Sequence, residues 1–117
     1  LFATCGLAAC ETMCDLSSIT PVVERKITGK ARTLELLLYD FLAEIIYLKD
    51  VDGMVFSRVQ VDVSKNDDHW QLTAHIKGER INKDKHVLGN DVKAVTMHML
   101  TVWEREGMYH AKVVLDI

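Results

Sequence analysis

Three sets of residues in this chain have types and spacings that could do chemistry. The first lies in Asp91–Leu100, where Lys93, Thr96 and His98 are set among Val92, Val95, Met97 and Met99. A lysine at the entrance to such a stretch either lays its stem along apolar surface or contacts a phosphate or carboxylate. His98 interrupts an apolar run, where a hydrogen-bonded core or sheet-face histidine is the expectation; Thr96 is a good strand former. The second set is Asp40 and Glu44, four residues apart. On a helix that spacing puts both carboxylates on one stripe, a mildly unfavourable pairing that suits either a solvated face or a partner. The third is the chain's end. With Ile117 terminal, its α-carboxylate lies one residue from the Asp116 side chain. Two hard oxygen groups favour Ca²⁺, Mg²⁺ or Mn²⁺ over softer ions, but a third acid is needed to make a site. Without it, a frayed acidic end is expected.

The remaining candidates carry less. His69, His75, His86, His98 and His110 include no pair at helical metal-ligand spacing. Cys5, Cys10 and Cys14 fall on one short segment, which reads as small buried thiols rather than a disulfide framework. Asp50, Asp52 and Gly53 lack the rest of a calcium loop and read as a turn. No nucleophile elbow, phosphate-binding Gly-rich loop, dinucleotide fingerprint or paired CxxC is present.

The elements that must position these residues follow from hydrophobic period. Phe2, Cys5, Ala9, Met13 and Leu16 recur at helical spacing, so residues 1–14 read as a helix, and Gly6 within it marks a close approach. The chain enters this helix without a cap residue, which predicts an upstream strand feeding it. Residues 22–29 read as an edge strand guarded by Arg25 and Lys26. Thr33 caps a helix running to Leu48, with Leu34, Leu37, Leu38, Phe41, Leu42, Ile45 and Leu48 as its apolar face, and residues 49–53 turn the chain. Alternation over 55–63 and 70–77 predicts an antiparallel hairpin with one wet face, His75 on it. Residues 78–90 are polar and aperiodic, a long connection of the kind that is often functional or mobile. A second hairpin spans 92–104 and 108–115. Strict alternation puts Val95, Met97, Met99 and Trp103 on one face, with Ala94, Thr96, His98, Leu100 and Val102 on the other.

The fold class is therefore α+β: two helices packed on a mainly antiparallel or mixed β-sheet, in one domain over residues 1–117. At 117 residues the chain can bury one core, and 49% hydrophobic with 26% charged residues is an ordinary globular mix. A net charge of −3 argues against nucleic-acid binding by bulk electrostatics. No apolar run is long enough to span a bilayer and no signal peptide is evident, so a cytoplasmic protein with no membrane partner is expected. Oligomeric state is not encoded.

Leu36-x-x-Tyr39-Asp40-Phe41-Leu42-x-Glu44-Ile45-Ile46-Tyr47-Leu48, followed by Gly53-Met54-Val55-Phe56-Ser57, resembles the archease family. Asp91-Val92-Lys93-Ala94-Val95-Thr96-Met97-His98 resembles that family's most recognisable strand, with Met97 where the family has Tyr. Val113-Val114-Leu115-Asp116-Ile117 is similar to its C-terminus, and Leu7-Ala8-Ala9 with Met13-Cys14-Asp15-Leu16 to its first long helix. The resemblance implies a non-catalytic accessory protein that promotes guanylylation and multiple turnover of an RtcB-type RNA ligase in tRNA splicing or RNA repair. GTP would be used by that partner, and no direct nucleic-acid contact is expected. It also implies a divalent metal, Ca²⁺ first and Mg²⁺ or Mn²⁺ as alternatives, at Asp116 and the carboxylate of Ile117. The family completes that site with the Asp of a His-Thr-Ala-Asp segment on its first strand, which has no counterpart here. Asp40, Glu44, Asp91, Lys93 and His98 would face the partner. Two other readings stand beside it: a chaperone-like adaptor of RNA-modifying enzymes such as methyltransferases, and a small metal-dependent hydrolase.

Overall fold

The computed structural model describes residues 1–117. In chain order the elements are α1 (Phe2–Met13), β1 (Val23–Ala31), α2 (Leu34–Asp52), β2 (Met54–Asn66), β3 (His69–Arg80), β4 (Ala94–Arg105) and β5 (Met108–Asp116), with a single 3₁₀ turn at Leu16–Ser18. The strands form two antiparallel sheets rather than one: β1-β3-β2, and the hairpin β4-β5. α2 packs against β1 on one side and β4 on the other, and α1 packs on β2. The expected α+β class, antiparallel pairing and edge position of β1 are found, with the strands divided between the two sheets.

α2 is the shared wall. The Thr33 side chain accepts the Leu36 amide at its start, and Gly53 ends it in the left-handed conformation at φ 64°. The helix continues four residues beyond the expected stop at Leu48, so Lys49, Asp50 and Asp52 are helical rather than part of a turn. Leu37, Leu38, Phe41, Leu42, Ile45 and Ile46 are all buried, a wider apolar arc than one interface needs. At Gly6 of α1 a Cβ would lie 3.1 Å from the Phe41 ring and 3.2 Å from Val59, which accounts for the close approach.

Two bulges interrupt the strands. Between Phe56 and Arg58 the register of β2 shifts, leaving Ser57 without a partner across the ladder. Opposite this point a Cβ on Gly78 would fall 1.8 Å from the Val55 carbonyl oxygen, so no other residue fits there. In β4, Thr96 pairs with Val114 but Thr101 pairs with Lys112, so Met97–Leu100 stand opposite Val113 alone. Met99 adopts a φ of 57° within that excursion. The extra residues invert the alternation: Val95 and Leu100 are both buried, and Met97, His98 and Met99 are all exposed. The face assignment expected for this strand therefore holds for neither side.

Candidate functional site

The structure joins the entrance of β4 to the end of β5 around a lysine from the last turn of α2. Lys49 is buried, yet its Nζ donates to Asp91 Oδ1 at 2.8 Å and to the Val92 carbonyl at 2.7 Å. It also lies 2.9 Å from Asp50 Oδ1. Burial works against the Lys49 charge, but the hydrogen bonds to Asp91 and Asp50 outweigh it and hold its pKa above the ordinary value. The Asp91 carboxyl is correspondingly held down, first by the Lys49 hydrogen bond, then by the charges of Lys49 and Lys93. The Lys93 amide donates to the Asp116 carbonyl at 2.7 Å, so the chain's end is tied beside this cluster. Lys93 itself is exposed and lines a shallow groove with Tyr47, Asp50 and Val95.

The remaining sequence candidates are placed elsewhere. Asp40 and Glu44 line a different groove of about 440 Å³ on the β1 side of α2, with Thr28, Gly29 and Tyr47. His98 is exposed on the β4 bulge and is neither a core nor a hydrogen-bonded sheet histidine, because the bulge takes it out of the ladder. The Thr96 hydroxyl is buried without a partner, so it does not tie the strands together. Met97 is 49% exposed rather than packed in the core.

Two parts of the arrangement were not visible in the sequence. One is Lys49, whose signal was its place on the apolar arc four residues after Ile45. The other is the segment after β3. Glu79 Oε1 accepts from Lys85 Nζ and from His86 Nε2, both at 2.6 Å, and from the Thr20 amide at 3.1 Å. His86 is buried, and its Nδ1 accepts the Asn82 amide at 2.9 Å. The polar connection is thus pinned rather than free, and its first residues belong to β3.

The implied divalent ion would need several oxygen donors gathered at one point. Asp116 offers one exposed carboxylate at this end, while Asp91 is engaged by Lys49. No three His, Cys, Asp or Glu side chains converge into a group that could hold an ion. Ca²⁺ takes roughly six to eight oxygens. These residues do not fit a complete metal site by themselves.

Three comparisons bear on identity. The model of the Archease protein family matches residues 1–117. The chain is similar to "Protein archease" of Methanothermobacter thermautotrophicus, 34% identical over 117 residues, covering 100% of this chain and 83% of that one. It is similar to the protein of the same name from Pyrococcus furiosus, 34% identical over 118 residues, with 99% and 82% covered. The solution structure of Methanobacterium thermoautotrophicum protein 1598 superposes with a TM-score of 0.86 at 34% identity, covering 99% of this chain and 82% of that chain. A crystal structure from Thermotoga maritima, described as an archease and possible chaperone, shares the fold at a TM-score of 0.57 and 18% identity, with 100% and 84% covered.

Proposed function

The chain belongs to the archease family, and from that premise we propose that it is a non-catalytic activator of an RtcB-type RNA ligase, promoting the ligase's guanylylation and turnover. The observation that carries this reading is the family match over residues 1–117, which includes the acidic end at Asp116. On this reading the ligase holds GTP and does the chemistry. The accessory chain presents Asp91, Lys93 and Asp116 as one charged end, with Lys49 setting the position of Asp91. Asp116 and the Ile117 carboxylate contribute two oxygens toward a divalent ion, Ca²⁺ before Mg²⁺ or Mn²⁺. That set is incomplete, so no step is routed through a metal held by this chain alone.

The test is multiple-turnover ligation by an RtcB-type ligase with GTP, with and without this protein. Wild type is expected to raise turnover. Asp116→Ala is expected to abolish the stimulation while changing stability by less than about 0.5 kcal/mol, as an exposed substitution. Equal stimulation by the two proteins would remove the role of Asp116; no stimulation by wild type would remove the ligase reading.

A chaperone-like adaptor of RNA-modifying enzymes such as methyltransferases is the second reading. It is favoured by exposed Met97, Met99, Trp103, Met108 and Tyr109 on the β4-β5 hairpin. Methionine and aromatic groups on a surface suit adaptable binding. Recovery of methyltransferases without a ligase in a pull-down would favour it.

A further inference from the structure

The β2 bulge opens a groove that the ligase reading does not use. It has a volume of about 350 Å³ and is lined by Leu7 of α1, by Ser57, Arg58, Val59 and Gln60 of β2, and by His75 and Lys77 of β3. Arg58 and Lys77 are direct partners across the β2-β3 ladder and both are exposed. Like charges directly opposite one another destabilise a sheet. Neither makes an ion pair or a side-chain hydrogen bond: the carboxylate next in the row, Glu24, lies 3.6 Å from His75 instead. In the adjacent row Lys26, His75 and Gln60 stand side by side. A protein of net charge −3 thus keeps two unsatisfied cations together beside an imidazole and an amide.

The backbone at this point is built to an unusual shape. Ser57 is the bulged residue, and its hydroxyl is buried with no hydrogen-bond partner. A buried hydroxyl left unpaired is unfavourable, and such groups are few in native proteins. The bulge is fixed by Gly78, the one residue type that clears the Val55 carbonyl. Bulges that re-aim side chains are frequent beside binding sites. Two exposed cations and the Gln60 amide line the groove with Ser57, whose hydroxyl has no partner, a donor set that an oxyanion with several acceptor oxygens satisfies.

We propose that this groove is a phosphate-binding site, taking a phosphoryl group carried by a nucleotide or by an RNA backbone. It collects local positive charge and does not depend on the ligase reading or on the acidic end.

The test is titration of the ¹⁵N-labelled full chain, followed by amide shifts, with three probes: inorganic phosphate, GMP and a short single-stranded RNA. Saturable shifts are expected at residues 57–60 and 75–78. Arg58→Gln and Lys77→Gln are each expected to weaken binding roughly tenfold, the loss of one charge-assisted hydrogen bond. Ser57→Ala is expected to weaken it less, and Lys30→Gln, on the same sheet but outside the groove, not at all. Tightest binding by the RNA, with a steep salt dependence, assigns the phosphate to a polynucleotide; equal or tighter binding by GMP assigns it to a nucleotide. Absence of saturable shifts with all three probes would overturn the proposal. So would shifts at these residues that Arg58→Gln and Lys77→Gln leave unchanged while the spectra stay folded.

Discussion

Glu79 shows how much a single oxygen can organise. Its Oε1 serves Lys85, the Thr20 amide and His86 at once, and these donors, Lys85 first, bring its carboxyl pKa down from 4.5 to about 2. Because Nδ1 of His86 accepts the Asn82 amide, Nε2 carries the proton that points at Glu79. A folded-state pKa below the unfolded one stabilises the fold above the unfolded value, and that contribution is lost as pH falls through the folded value. The window here runs from 4.5 down to about 2. Glu79→Gln is expected to lower the melting temperature at neutral pH, and the gap to wild type is expected to close across that window. Melting curves by circular dichroism between pH 7 and pH 2 check it; a gap of constant size would contradict the network's role.

At the scale of elements, the two bulges, the left-handed Gly53 and the tightly packed Gly78 decide geometry that hydrophobic period cannot encode. Gly53 has open space where a Cβ would go, so Gly53→Ala costs only the strain of a left-handed alanine, about 1 kcal/mol. Gly78→Ala drives a methyl into the Val55 carbonyl and is expected to cost at least about 3 kcal/mol or abolish folding. Urea denaturation of both variants measures the difference; similar costs would mean that the β2 bulge can relax. Both helices, all five strands and both hairpins were legible in the sequence, because Leu37, Phe41 and Ile45 keep helical period and Val59, Val61 and Val63 keep a period of two. The β4 face was not, because Met97–Leu100 change phase through a positive φ at Met99, a residue with no turn signature. Nor was the extension of α2, because Asp50 and Asp52 look like turn residues while Lys49 beside them is buried against Asp91. Asp91 and Asp116 stood out in the sequence as residues that could do chemistry, but the lysine that holds Asp91 did not. Its one sign was a place on the apolar arc four residues after Ile45, which the charged neighbours Asp50 and Asp52 mask.

Across the whole molecule, one core of 20 buried residues joins both sheets through α2. Phe41, Leu42 and Ile45 of α2 belong to the same cluster as Leu72, Ala74 and Ile76 of β3 and Val95 and Leu100 of β4. A core continuous across the shared helix should unfold as one unit. Trp70 on β3 and Trp103 on β4 report on the two sheets separately. Trp103→Phe and Trp70→Phe variants, each with one remaining tryptophan, are expected to give urea transitions at the same fraction of their backbone circular-dichroism change. Fluorescence and circular-dichroism midpoints that part within either variant would show that the sheets melt independently. No strand pairing links the β4-β5 hairpin to the other sheet. Lys49 clips the hairpin at its root through the Val92 carbonyl, and beyond that point its grip on α2 comes mainly from interlocked side chains. Mechanically, the hairpin is a leaf fastened at one end: under a load drawn along its strands the ladders hold, and the plane that yields first lies between β4 and α2.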